Sequence, residues 1–325
     1  MKSDVRVEAI REGIKSLNVD AGGFPLHGRR IFVFGLGLWA TDIIFLSSLL
    51  FFSVITILFN AQIPGTWTQV LKNMIVGLVY LGTIHLHQQT SSRALRFWIR
   101  MTSAQLMFAY VFPLITPLQL IISKNWNDPV ILNLEQAVFG VQPTIWIQKF
   151  ISPALTEWMM FSYVMYLPLY PILCGILYFK HSELHMEDFV FKLAFANLLC
   201  DLGFILYPVA GPFYKIANRF TVPLKGYFFT FVGEYIRIHF QGIGASIPSP
   251  HCAISTIMWI TAYRYHRPTF YMISPIILSI YVSAFYSRYH YLSDVLFGIL
   301  AGVATLIVVP FLMKSWNIRA DRRVS

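Results

Sequence analysis

Ser287-Arg-Tyr-His-Tyr-Leu-Ser-Asp294 runs straight into the apolar stretch 295–313, and its reading decides how this chain is built. A second string, Ser246-Ile-Pro-Ser-Pro-His251, opens in the same way into residues 252–265. In each, a short polar loop meets an apolar run at what reads as a membrane surface. Two imidazoles, a carboxylate, a guanidinium and a hydroxyl are thereby offered at that surface.

Composition agrees with a membrane setting. Hydrophobic residues make up 56% of the 325 and charged residues 12%, against roughly 25% charge in a soluble domain. Aromatics reach 16%, as expected where Trp and Tyr anchor at headgroup level. The formal charge is +10, but the basic residues fall in short clusters flanking apolar runs. They read as topology signals and anionic-lipid contacts rather than as a nucleic-acid surface. Cys174, Cys200 and Cys252 lie in or against apolar segments without metal-like spacing. They predict core packing, not a disulfide framework or a zinc site.

Residues 1–30 are polar and mixed in charge, with no apolar core of the signal-peptide kind. They are expected to form a cytoplasmic segment with a short amphipathic helix near Val5–Leu17. Taking about 20 residues per crossing, spans fall near 31–58, 70–87, 101–122, 155–179, 188–208, 252–265, 269–286 and 291–313. The expectation is an all-α, polytopic transmembrane helical bundle with about eight spans. A membrane catalytic domain covers 31–313, its signature region 200–305, and a basic cytoplasmic tail covers 314–325. Arg29-Arg30, then Arg93, Arg96 and Arg100, then Arg264 and Arg267, then Lys314 through Arg323 all become cytoplasmic with eight crossings and both termini inside. Both opening strings then face away from the cytoplasm.

The chemistry follows from residue types and spacing. Pro248-Ser249-Pro250 ends an extended segment, since a residue before proline avoids the helical region. His251 enters a first helical turn, where unpaired N–H groups bind phosphate readily, and Ser249 adds a hydroxyl donor. A histidine there can equally be a helix cap facing headgroups. The second string weighs against that plain reading. His290 and Asp294, four apart, share one helical face. A carboxylate on one ring nitrogen sets the tautomer and frees the other nitrogen as a nucleophile. Arg288 can neutralise phosphoryl oxygens with its planar fork. The plain alternative is an Arg288–Asp294 surface pair with His290 a bystander.

These strings resemble the second and third signature motifs of the type-2 phosphatidic acid phosphatase superfamily, which includes lipid phosphate phosphatases with a core of six spans. The consensus there reads Pro-Ser-Gly-His, then Ser-Arg followed by His and Asp. The resemblance implies that His290 is a nucleophile forming a phosphohistidine, Asp294 its orienting partner and His251 the general acid. It implies that Ser249 and Arg288 hold phosphate oxygens. Pro250 stands in place of the usual glycine, and Arg288 precedes His290 by two residues where the consensus arginine precedes it by six. That consensus slot is Ala284, one helical turn from Arg288. The first motif, a lysine followed at a distance by Arg-Pro, is absent, and Lys215 and Arg219 are its nearest stand-ins. Tyr207-Pro-Val-Ala-Gly-Pro-Phe-Tyr214 and Phe139-Gly-Val-Gln-Pro143 are similar to the branch containing inositol phosphorylceramide synthase.

The expected activity is a membrane enzyme cleaving a lipid phosphoester through a phosphohistidine, a lipid phosphate phosphatase in its simplest form. The alternatives are a phosphotransferase that moves a phospho-headgroup onto a lipid hydroxyl, and a lipid transporter whose pathway is Asn197, Asp201 and Asp42. No metal or other cofactor is expected, because basic side chains neutralise the phosphoryl charge. The partners are a lipid phosphate and either water or a lipid hydroxyl. Short loops and the lack of sorting signals suggest a bacterial inner membrane. Asp201 reads either as the lining of a lipid access path or as bonded to neighbouring hydroxyls, and Asp42 as half of a buried polar pair. Tyr163, Tyr166 and Tyr170 read as ordinary packing. Glu157 reads as helix N-terminal electrostatics or a headgroup contact, and 209–249 as a long aromatic loop.

Overall fold

The structure, a computed structural model, describes residues 30–33, 35–240 and 242–321; the expected helix near Val5–Leu17 lies outside them. The chain first makes a hairpin of β1 (Ile31–Val33) and β2 (Leu36–Leu38), antiparallel with Ile31 opposite Leu38. This corrects the first span, which begins not at 31 but at α1 (Ala40–Leu58). Gly35 sits at φ 80°, in the left-handed region that a tight turn needs and a helix does not use. The Gln88 side chain binds both the N–H and the C=O of Gly37, at 3.3 and 2.7 Å, and so ties the hairpin to the bundle.

The remaining described residues are mostly helical: α2 (Thr66–Gln89), α3 (Arg93–Val111), α4 (Asp128–Phe139), α5 (Pro153–Ile176), α6 (Glu183–Leu206), α7 (Phe228–Phe240), α8 (Pro250–Tyr265), α9 (Arg267–Tyr286) and α10 (Leu292–Asp321). Among the described residues seven helices are long and apolar enough to cross a membrane: α1, α2, α3 with its 3-10 extension to Leu118, α5 with its π turn to His181, α6, α9 and α10. The chain is an all-α polytopic integral membrane protein. α8, at 16 residues, rises only about 24 Å and falls short of that length. It is nonetheless walled by α5, α6, α9 and α10. A single residue, His266, links it to α9, so the two run antiparallel and together complete about eight crossings.

Close backbone approach sets the α8–α10 crossing. Gly298 and Gly302, a Gly-x-x-x-Gly pair on α10, leave room for α8. A Cβ at Gly298 would lie 2.4 Å from the Ser249 carbonyl oxygen, and one at Gly302 would lie 2.6 Å from that of Ala253.

The turns on one end of the bundle carry Arg30, Arg93, Arg96, Arg264 and Arg267. Arg93 donates to the Tyr178 carbonyl at 3.0 Å, Arg30 and Arg96 both pair with Glu183, and His181 lies 3.1 Å from the Tyr265 carbonyl. Arg100 does not belong with them. It is buried seven residues into α3, bidentate on Glu187 and paired with Asp42, which also accepts the Tyr80 hydroxyl and the Trp39 N–H. A charge at that depth persists because each member is paired and hydrogen-bonded. Asp42 is thus the buried partner its position suggested, and Arg100 is a structural cation rather than a loop signal. The three cysteines are free and buried.

Candidate active site

The opposite end of the bundle carries His251 and His290, their ring centroids 6.1 Å apart at 60°. The segment holding His290 is a helix stop followed at once by a helix start. After Tyr286 the N–H of Arg288 donates to the Phe285 carbonyl and that of Tyr289 to the Ala284 carbonyl, both at 3.2 Å. This Schellman arrangement puts Arg288 at the position where glycine is usual, and its φ is 67°. Span seven therefore does not continue through Arg288. His290 lies before α10 rather than on it, so the helical-face relation with Asp294 is replaced by a capping one. The Asp294 carboxylate accepts the N–H of Tyr291 at 2.9 Å, as an acid in the first turn does in a capping box.

His290 Nδ1 lies 2.9 Å from the Ser246 carbonyl and 3.5 Å from Asp294 Oδ2. A carbonyl only accepts, so Nδ1 carries the hydrogen and Nε2 keeps its lone pair. Ser246 also donates its hydroxyl to Asp294 Oδ2. The tautomer is therefore held by Ser246 and Asp294 together, not by Asp294 alone. His290 and Asp294 are buried.

His251 occupies the first turn of α8, with Ser249 as N-cap and Pro250 at the first helical position, where its missing N–H costs nothing. The Ser249 N–H donates to the Asp294 carbonyl at 3.0 Å, which joins the two strings directly. The Ser249 hydroxyl is fully buried and makes no hydrogen bond. Two tyrosines read as ordinary packing touch His251 instead. Tyr163 stacks on it at 4.4 Å with its hydroxyl 3.2 Å from Nδ1, and Tyr166 lies at 4.6 Å; Tyr170 packs in the core as expected.

Two acids that the sequence reading passed over hold this region from α4. Asp128 accepts the N–H groups of Ala210 and Gly211 and the hydroxyl of Tyr291. Glu135 accepts both the N–H and the hydroxyl of Ser293 in the first turn of α10. Burial raises both carboxyls above their usual values. Gly211, at φ 96°, passes where a Cβ would be 3.2 Å from the Tyr289 carbonyl. The sequence signal for these acids is their place at the start of and within the largely apolar 128–139 stretch, which is too weak to assign a role.

The remaining candidates divide. Arg288 donates to the Val222 carbonyl and lies 4.3 Å over the Phe220 ring, its Nε buried without a partner. Burial lowers its pKa from the usual guanidinium value. Lys215 and Arg219 are exposed on two short turns, and no hydrogen bond or ion pair links their side chains to the histidines among the described residues. The segment read as an aromatic loop contains α7. Glu157 receives the N–H groups of Tyr227, Phe229 and Thr230, so it caps a helix other than its own. Further along α7, Glu234 accepts the Tyr289 hydroxyl at 3.1 Å and pairs with Arg237 at 2.7 Å. α7 therefore lies over the residue next to His290.

A family model of the PAP2 superfamily matches residues 129–309, a span holding both strings, α4 and five of the crossing helices. The chain belongs to that superfamily. It is also similar to a phosphoinositol dihydroceramide synthase of Bacteroides thetaiotaomicron, at 30% identity over 193 residues, which cover 51% of this chain and 62% of the relative. The match thus spans less than two thirds of that protein's length. No solved structure matches the chain.

Proposed function

We propose that this protein cleaves a lipid phosphoester through a phosphohistidine on His290. The observation that carries the reading is the pairing of the two rings, 6.1 Å apart, with His290 Nδ1 turned to a carbonyl and Nε2 left nucleophilic. In the first step Nε2 attacks phosphorus, the bond from phosphorus to the leaving oxygen breaks, and His251 gives that oxygen its proton. In the second step a hydroxyl attacks the phosphohistidine, His251 takes its proton, and the N–P bond breaks. Asp294 and Ser246 keep the His290 ring in place. Arg288 and the otherwise unpartnered Ser249 hydroxyl stabilise the equatorial oxygens, a positioned charge of the kind that phosphoryl transfer depends on.

Water as the second nucleophile makes the protein a lipid phosphate phosphatase; a lipid hydroxyl makes it a headgroup transferase. The packing of α7 on Tyr289, next to buried His290, together with the name of the Bacteroides relative, favours transfer. The end carrying Arg93, Arg96, Arg264 and Arg267 in short turns lies opposite the histidines, which supports an extracytoplasmic site with both termini cytoplasmic, and short loops support a bacterial inner membrane.

The test is product analysis of purified protein with radiolabelled lipid phosphates and phosphodiesters, with and without ceramide or diacylglycerol. Free phosphate marks hydrolysis, and a new phospholipid without phosphate release marks transfer. His290→Ala is expected to abolish both. Lipid flux that survives His290→Ala in the absence of any phosphoester cleavage would replace the enzyme with a transporter.

A further inference from the structure

His251 and His290 are held in different ways. His290 rests beside Asp294. Among the described residues no ion pair involves His251, and its side-chain hydrogen bond runs to Tyr163. Tyr163 and Tyr166, three apart on α5, share a helical face, and α5 lies against α8. Their rings pack on the imidazole with centroids at 4.4 and 4.6 Å and interplanar angles of 24° and 46°. Tyr163 also packs on Tyr289 at 4.9 Å, and the Tyr289 hydroxyl is bound to Glu234 of α7. One tyrosine ring thus touches both His251 and the residue next to His290.

A histidine that carries a proton works best with one nitrogen held and the other free. The Tyr163 hydroxyl lies 3.2 Å from Nδ1, so Nε2 is the nitrogen left for a substrate oxygen. An imidazolium in apolar surroundings without a counter-charge is costly. Aromatic faces within about 6 Å offset part of that cost by cation–π attraction. We infer that Tyr163 and Tyr166 are positioning residues that clamp His251. Tyr163 accepts Nδ1–H, both rings support the protonated form, and Nε2 alone exchanges the proton.

The inference rests on the proposed role of His251 and adds the groups that make that role workable. In the first step the Nε2–H bond breaks, its electron pair stays on Nε2, and the proton joins the leaving oxygen. In the second step Nε2 takes the proton of the attacking hydroxyl. Nδ1–H stays on the Tyr163 oxygen throughout, so the ring does not turn between steps.

The test compares two leaving groups on full-length protein in detergent. Dodecyl phosphate releases an alkoxide that needs a proton to leave, and para-nitrophenyl phosphate releases a phenolate that does not. The readout is the alkyl-to-aryl ratio of kcat/KM, which covers the steps up to loss of the leaving group. His251→Ala is expected to lower that ratio by about 100-fold or more, and Tyr163→Phe, which keeps the ring and removes the hydroxyl, by about tenfold. Tyr166→Leu should lower it as well, and Tyr166→Phe, which restores the ring, should recover it. A merely structural defect slows both esters alike, so an unchanged ratio in Tyr163→Phe would overturn the clamp. An unchanged ratio in His251→Ala would remove the acid role on which it depends. The phosphohistidine reading fails separately, through cleavage that survives His290→Ala. If Tyr163→Phe does not fold, or the wild type turns over neither ester, nitrogen NMR of wild-type protein carrying isotope-labelled histidine decides, with the His251 signals assigned by their loss in His251→Ala. Neutral His251 with its hydrogen on Nδ1 is expected, and the hydrogen on Nε2 would overturn the assignment.

Discussion

Gly298 on α10 and Ser249 at the head of α8 meet so closely that a methyl group on the glycine would fall 2.4 Å from the serine carbonyl oxygen. The atom in the way is backbone, so relief requires one helix to move. Gly298→Ala is expected to cost about 1–3 kcal/mol of stability, the range for overpacking a filled contact. It should also lower turnover, because the same shift moves Ser249 and His251 relative to His290. Denaturation together with kcat on one lipid substrate checks both halves; a variant as stable and as active as the wild type would contradict the crossing.

Arg288 separates stability from activity. Its left-handed backbone costs about 1 kcal/mol more than glycine would at that position, while its guanidinium contributes one carbonyl hydrogen bond and a cation–π contact. These terms nearly cancel. Arg288→Gly should therefore melt within about 1 kcal/mol of the wild type and yet lose activity by about 100-fold or more. Arg288→Lys keeps a charge without the fork and should recover only part of the loss.

Ser246→Ala tests whether the hydroxyl helps Asp294 hold the His290 ring. The carbonyl that accepts Nδ1–H remains, so folding should be little changed, while Asp294 Oδ2 loses one of its donors. A fall in kcat of roughly tenfold with KM unchanged is the expected signature of a positioning defect. Asp294→Asn should cost far more, since it also disturbs the cap of α10.

Glu157→Ala removes the carboxylate that satisfies three N–H groups at the start of α7. Losing a cap costs about 1–2 kcal/mol, concentrated in α7. Hydrogen exchange should speed up across residues 227–234 and leave α6 and α8 unchanged. If the covered site favours transfer, the proportion of phosphate released to water should rise in the same variant.

Much of this arrangement was legible in the residues because apolar length survives any detail of packing. The crossings α2, α3, α5, α6, α9 and α10 fall near their expected places for that reason. β1 and β2 were not, since Ile31–Leu38 is as apolar as a span and only Gly35 and Gly37 hint at the turn. α7 was hidden by its aromatics, although Phe228, Phe231, Tyr235 and Ile238 follow a helical period and are all exposed. In the site, the pairing of His251 with His290 and Asp294 could be read from motif spacing. The part played by the Ser246 carbonyl could not, because a main-chain acceptor leaves no trace in residue type. Tyr163 looked like any tyrosine on a buried helix, and only the approach of α5 to α8 makes it a neighbour of the histidine. Lys215 and Arg219 were chosen for charge and order, and both side chains face outward.

The ionic triad of Asp42, Arg100 and Glu187 makes the two halves of the chain mutually dependent. Glu187 lies inside the stretch shared with the PAP2 superfamily, whereas both of its companions lie on helices that precede it. A shortened protein starting near residue 123 would carry that glutamate into the bilayer with no counter-charge, a penalty of several kcal/mol. Trimming toward a minimal enzyme therefore calls for Glu187→Gln or a hydrophobic replacement in the same step.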